Sequence, residues 1–248
     1  VEGVDAAWWP SAAYLYVLHL DALALAWEYL RRNPQYRADW ARRKLPPIIR
    51  PDVWGLRFFE DPALDARDAE VLWSPLPAAC VRLTRAYEAN TVTRFSLWKL
   101  PGRRSLFLEN GNLWLTQRYG HHVRHAYLSP ELSEDDPWGF LVPAGEDTLQ
   151  HRKARSSFAG CLTGASTAPV PRVPDRPSSI GLFHMRALQA LDADLAGAAH
   201  RNIAAALFGT ETVQRDWHTD GYLRAQIRHM VRRAHSIMNG GYRNLAGI

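Results

Sequence analysis

Residues 221–238 read GYLRAQIRHMVRRAHSIM. On a helix of 100° per residue, Leu223, Ile227, Met230, Val231, Ala234 and Met238 gather on one side. Arg224, Arg228, Arg232 and His235 form a neighbouring stripe, with Gln226, His229 and Arg233 further round. One face is therefore made to pack. The other presents cations, with a single acid, Asp220, at the N-terminal end where it can cap the helix. Arginine on an open helix face suits phosphate contacts and bidentate pairing to guanine, while glutamine can pair adenine. A solvated basic face is the plain alternative for any lone amphipathic helix, so the preceding segments decide between them.

Upstream, Leu182, Met185, Leu188, Leu191 and Leu195 follow a 3–4 spacing and predict a helix from Ile180 that Gly197 ends. His200–Phe208 predicts a short second helix with Ile203, Ala204 and Leu207 inward, closed by Gly209. Its opening, His200-Arg201-Asn202-Ile203-Ala204, resembles the first half of a helix-turn-helix. Thr210–Thr219 then reads as an extended turn with Trp217 as its core plug, and Asn239-Gly240-Gly241 as the stop of the last helix.

The opposite end of the chain is also helical. Pro10 and Ser11 start a helical stretch over residues 8–45, and Asp21 can cap Ala22–Arg32, where Leu23, Ala26, Trp27 and Leu30 share a face. Asn33-Pro34 stops that helix and starts the next, with Tyr36 and Trp40 one turn apart. So short a segment buries few aromatics by itself, which makes Trp8, Trp27, Tyr36 and Trp40 candidates for an interdomain or partner-binding surface. Residues 80–145 read as strands: Thr91–Leu100, Ser105–Glu109, Leu113–Tyr119, His121–Leu128 and Trp138–Val142. Asn110-Gly111-Asn112 is the best hairpin signal. Asp147–Leu162 suits a helix, and residues 163–179 have the Pro, Ser, Thr and Ala content of a linker.

Composition bounds the function. The 248 residues carry a net charge of +5, which permits polyanion partners without requiring them. Ten Trp, nine Tyr and eight Phe argue against a disordered chain. No apolar run reaches membrane-spanning length and no secretory leader is visible, so the expectation is a cytoplasmic protein without a membrane partner. Cys80 and Cys161 form neither a disulfide framework nor a metal quartet. His121, His122 and His125 lie on a predicted strand whose neighbours point to opposite faces, so surface histidines are the reading there. Gly160–Gly164 lacks the lysine of a phosphate loop, and Glu134-Asp135-Asp136 lacks the glycine and closing glutamate of a calcium hand. The expectation is no enzyme, no metal and no cofactor.

Over some sixty residues, Ala204-Leu207-Phe208-Gly209, Asp216-Trp217, Leu223-Arg224, Ile227-Arg228, Val231-Arg232-Arg233 and Gly240-Gly241-Tyr242 resemble the C-terminal domain of a proteobacterial family long catalogued as of unknown function. That domain is regarded as a helix-turn-helix variant with an extended turn. The stretch from Leu25 to Pro34 and on through Tyr36-Arg37-Ala38-Asp39 resembles the transcriptional-regulator-like domain often found in front of it. Together they resemble FseA-like activators of integrative and conjugative elements. The resemblance implies control of excision or transfer genes and an antiactivator that competes for the N-terminal domain; promoter DNA and RNA polymerase are the other expected partners.

These readings predict an α+β protein: an N-terminal helical domain over 8–60, a strand-rich middle over 78–150, and a helix-turn-helix domain over 180–246. Arg224, Gln226, Arg228, His229, Arg232 and Arg233 are the expected DNA contacts, with Arg201, Asn202 and Thr219 near the backbone. The rival is an antiactivator of the same fold that sequesters a regulator without touching DNA. An acidic last helix would mark it, and this one is basic.

Overall fold

Capping side chains cut the N-terminal segment into helices where the sequence places them. A computed structural model describes residues 7–77, 79–87, 93–109, 111–119, 122–142, 148–164, 176–218 and 221–248. After a 3-10 segment, Ser11–His19, helix α1 spans Ala22–Leu30, and the Asp21 carboxylate accepts from the Ala24 N–H at 2.8 Å. Helix α2 spans Pro34–Arg42, with the Asn33 side chain accepting from the Gln35 and Tyr36 N–H groups. A proline at the first position fits because its missing donor would be unpaired there anyway.

Residues 75–175 form one compact unit built on a five-stranded sheet. The strands are β1 (Cys80–Arg85), β2 (Arg103–Glu109), β3 (Asn112–Tyr119), β4 (His122–Leu128) and β5 (Trp138–Phe140), in the order β2-β3-β4-β1-β5. β1 runs parallel to β4, and the other neighbours are antiparallel. Glu109 faces Asn112 in register, so the β2–β3 loop is the two residues Asn110 and Gly111, of which Asn110 lies outside the described residues. Gly111 has φ +80°, the left-handed value such a tight hairpin asks for. Helix α3 (Leu149–Leu162), capped by Thr148, sets Phe158 and Cys161 against Val81, Leu83, Leu115, Ala126 and Leu128.

One expected strand is absent. Of Thr91–Leu100, residues 93–100 are described and make only an isolated bridge, Arg94 to Pro137. Phe95 is buried, but its backbone pairs with the loop groups of Asp135 and Asp136. β1, which lies between β4 and β5, is a strand that the sequence reading did not single out.

Residues 7–74 and 176–246 form the second compact unit, so the two ends of the chain fold together. Its C-terminal helices are α4 (Ser179–Leu195), α5 (His200–Phe208), α6 (Thr210–Asp216), α7 (Tyr222–Ser236) and α8 (Tyr242–Ala246). Ser178 caps α4 by accepting from the Gly181 N–H. Thr210–Asp216, expected within a turn, is helical, and Gly209 with φ +88° breaks the chain direction between α5 and α6. Asn239-Gly240-Gly241 does end the expected last helix: Asn239 (φ −88°, ψ 16°) and Gly240 (φ +145°, ψ −27°) leave helical geometry at a kink, beyond which α8 begins. The expected cap Asp220 lies outside the described residues, and the N-cap position of α7 is Gly221.

A buried ionic cluster joins α1 to α4. Glu28 is fully buried and accepts from Tyr16, Arg31, Arg32 and the Ala66 N–H. Arg32 turns its other edge to Asp192, donating from Nε at 2.7 Å and Nη2 at 3.0 Å, and Tyr14 donates to the same carboxylate. Burial opposes the Glu28 charge, but Arg32 and Arg31 outweigh it and hold its carboxyl below the ordinary value. Around the cluster, the Gln189 amide donates to the Trp8 and Trp9 carbonyls, and Tyr29 shares a hydrogen bond with His184.

Removing one partner of a buried pair strands the other charge, at a cost of roughly 3–5 kcal/mol. Arg32→Ala is expected to destabilise the helical unit by that order in urea unfolding followed by circular dichroism. Because the folded pKa of Glu28 is lowered, its stabilisation is full above the unfolded carboxylate value, about 4.3, and is lost as pH falls through the folded value. Glu28→Gln should therefore be clearly less stable than the parent at pH 7, with the gap narrowing below about pH 4. A constant gap would show that the carboxylate charge is not what matters.

Candidate nucleic-acid interface

Helix α7 is held by the face that the sequence predicts. Leu223, Ile227, Met230, Val231 and Ala234 are buried, as is Met238 just past its end, and the helix packs on α4 and α5. The burial pattern leaves Ala225, Arg228, His229, Arg232, Arg233 and Ser236 exposed and Arg224 and Gln226 half-exposed.

The outward residues are not equivalent. Arg228 and Arg232 make no ion pair among the described residues, so their charge is open to an anion. Arg233 lies with its guanidinium 4.8 Å from the Phe183 ring centroid, a cation–π contact that leans it toward α4. His184, beside it, has its pKa lowered first by burial and then by the Arg233 charge, so the imidazole that pairs with Tyr29 is neutral. His235, last of the stripe, is a brace: its Nε2 lies 2.7 Å from Asp194 Oδ2 at the end of α4. His200, which opens α5, approaches the same carboxylate at 3.8 Å.

On α5, Arg201 is exposed and Asn202 half-exposed in the first turn. Thr219 lies outside the described residues. Trp217 is half-exposed rather than a core plug. It sits where the α6 helix geometry ends, and Val213, 3% exposed, anchors α6 instead. Arg215 pairs locally with Asp216 at 3.0 Å.

The four N-terminal aromatics separate by environment. Trp8 is buried and gives its carbonyl to Gln189 on α4. Trp27 and Tyr36 are buried edge to face, hydrogen-bonded to the Leu64 and Glu60 carbonyls. Trp40 is half-exposed under the Arg43 guanidinium. The residues that sequence reading missed are Glu28, Arg32, Tyr29, His184 and Asp192. Their one visible signal was an acid and an arginine four residues apart on an otherwise apolar helix.

Among the described residues, no three His, Cys, Asp or Glu side chains gather to hold a metal ion, and no helix is long and apolar enough to cross a membrane. Cys80 is buried, and burial pushes its thiol up to about 12, far from a reactive thiolate.

Residues 141–246 match the family described as "T6SS, Transcription factor, DNA binding domain". Residues 7–59 match the "Proteobacterial transcriptional regulator-like domain". No curated protein matches the chain. Neither family is enzymatic, and the pair of matches points to a DNA-binding transcription regulator.

Truncating a buried side chain leaves a cavity, whereas truncating an exposed one does not. Ile227, fully buried, should cost about 2–5 kcal/mol on Ile227→Ala. Arg228→Ala and Arg232→Ala should stay within about 0.5 kcal/mol of the parent. Thermal melts of the three variants check this, and a large loss at Arg228 would mean that the outward face is structural.

Proposed function

We propose that the chain is a sequence-specific transcription activator whose α5–α7 segment works as a helix-turn-helix, with α7 as the recognition helix in the major groove. The observation that carries this is the division of α7: one side buried against α4 and α5, the other holding Arg228 and Arg232 exposed and unpaired among the described residues. It falls inside the stretch that matches a DNA-binding domain. Base edges are met by the N-terminal half of such a helix, which gives Arg224, Gln226, Arg228 and His229 to readout. Arg232 and Arg233, a turn later, serve phosphates, with Arg201, Asn202 and Thr219 on the flanking backbone.

The resemblance to FseA-like proteins favours excision or transfer genes of a mobile conjugative element as targets. It also favours RNA polymerase and a competing antiactivator as partners in the cytoplasm. The family description of residues 141–246 instead favours T6SS genes. Genome-wide sequencing of the bound DNA separates the two. An antiactivator role without DNA contact fits poorly with an α7 whose outward face is basic.

Selection from a random duplex library tests the assignment. Arg228→Ala should relax preference at one or two base pairs by about 1–3 kcal/mol. Arg232→Ala should keep the motif and make the slope of log K against log salt shallower by about 0.9. An intact protein whose DNA affinity does not change with salt would overturn the reading.

A further inference from the structure

Beyond α7, the helical unit carries a second concentration of positive charge, on the N-terminal segment that no comparison assigns to DNA. Residues 40–51 read WARRKLPPIIRP, without one acid. Arg37 and Arg42 lie on the exposed side of α2, opposite buried Tyr36 and Asp39, and Lys44 follows its end. None of the three has an acidic partner among the described residues. Arg43 stacks on Trp40 at 4.0 Å and donates to the Trp40 carbonyl, which stiffens the start of the arm. Arg50, by contrast, is spent on Asp52 at 2.6 Å.

The arm is pinned at both ends beside the end of α7. Before it, the Asn33 amide donates to the Met238 carbonyl at 3.2 Å. After it, Tyr242 donates to the Trp54 carbonyl at 3.0 Å, and Arg243 to the Val53 carbonyl. Across it, the Trp54 indole donates to Asp39 at 3.1 Å, tying the residues just past the arm back to α2. The C-terminal end of a recognition helix is the end that leaves the groove toward the sugar-phosphate backbone. A cationic arm anchored there lies beside the flanking phosphates rather than over the bases.

We propose that Arg37, Arg42 and Lys44 form a second, sequence-independent DNA contact, in which the N-terminal domain grips the phosphate backbone beside the site read by α7. It rests on the reading of α7 as a DNA-binding helix. The ligand chemistry is a duplex phosphodiester backbone. Nearby Leu45 and Ile48 are exposed, at 58% and 80%, which makes an acidic protein segment the competing occupant.

The test uses the full chain and the duplex that it selects. Affinity is measured by fluorescence anisotropy across salt, and protection by hydroxyl-radical footprinting. Arg42→Ala with Lys44→Ala should make the salt slope shallower by about two, one per phosphate lost. It should also remove protection on one flank while the selected motif stays the same. Arg42→Lys with Lys44→Arg should restore both, which a folding defect would not allow. If the intact protein binds but the alanine pair changes neither slope nor flank, the arm is not a DNA contact and the α7 reading stands. Loss of binding to polyglutamate in that case would assign the arm to an acidic protein. If the intact protein binds no duplex, both readings fall.

Discussion

Arg32 ties the helical unit together. It is 8% exposed, and both edges of its guanidinium are committed, one to Glu28 on its own helix and one to Asp192 on α4. A charge so placed is tolerable only with full pairing, because desolvation takes back much of what the ion pair gains. The N-terminal helices and α4 therefore come as a pair: without α4, Arg32 loses the Asp192 carboxylate and keeps only Glu28. The same condition fixes register, since a slide of α1 along α4 by one turn would part Arg32 from Asp192 without offering another acid at that position.

From that clamp the order passes to α7. α4 lies between α1 and α7, and on its own surface it meets both, through Asp192 and His184 toward the N-terminal segment and through Phe183 and Asp194 toward Arg233 and His235. The exposed arginines are thus mounted on a helix whose orientation depends on contacts made by residues some two hundred positions earlier. A partner that loosened the N-terminal helices would act on α7 through these side chains, by packing and hydrogen bonding and without any contact to the basic face.

Sequence periodicity gave the helices and the buried face of α7 because an amphipathic helix states its own packing direction. Caps were equally plain at Asp21 and Asn33, where side-chain acceptors precede apolar periodic runs. Three things were not legible. α6 follows α5 with only Gly209 between them, and a seven-residue helix is too short for its periodicity to show. β1 and the segment around Phe95 have similar composition, and which of them pairs with β4 is settled by long-range hydrogen bonds that no local pattern reports. The cluster of Glu28, Arg32 and Asp192 was hidden for the same reason, since its third member is 160 residues away from Arg32. The outward side chains of α7 were named from the sequence, but not that Arg233 and His235 lean on α4 while Arg228 and Arg232 stay open.

The bend after α7 is where the recognition helix and the basic arm become one object. Gly240 takes φ +145°, which a side chain would resist even though nothing crowds its missing Cβ. Because the chain turns there, α8 runs back, Tyr242 is buried beside Trp73, and its hydroxyl reaches the Trp54 carbonyl. That contact, with Asn33 held at the Met238 carbonyl, grips the segment from α2 to Trp54 at two points, one just past α7 and one on α8. A straight continuation of α7 would carry Tyr242 away from the Trp54 carbonyl and leave the arm with one anchor. The two glycines that stop α7 thus also set the turn that brings Tyr242 back to the Trp54 carbonyl.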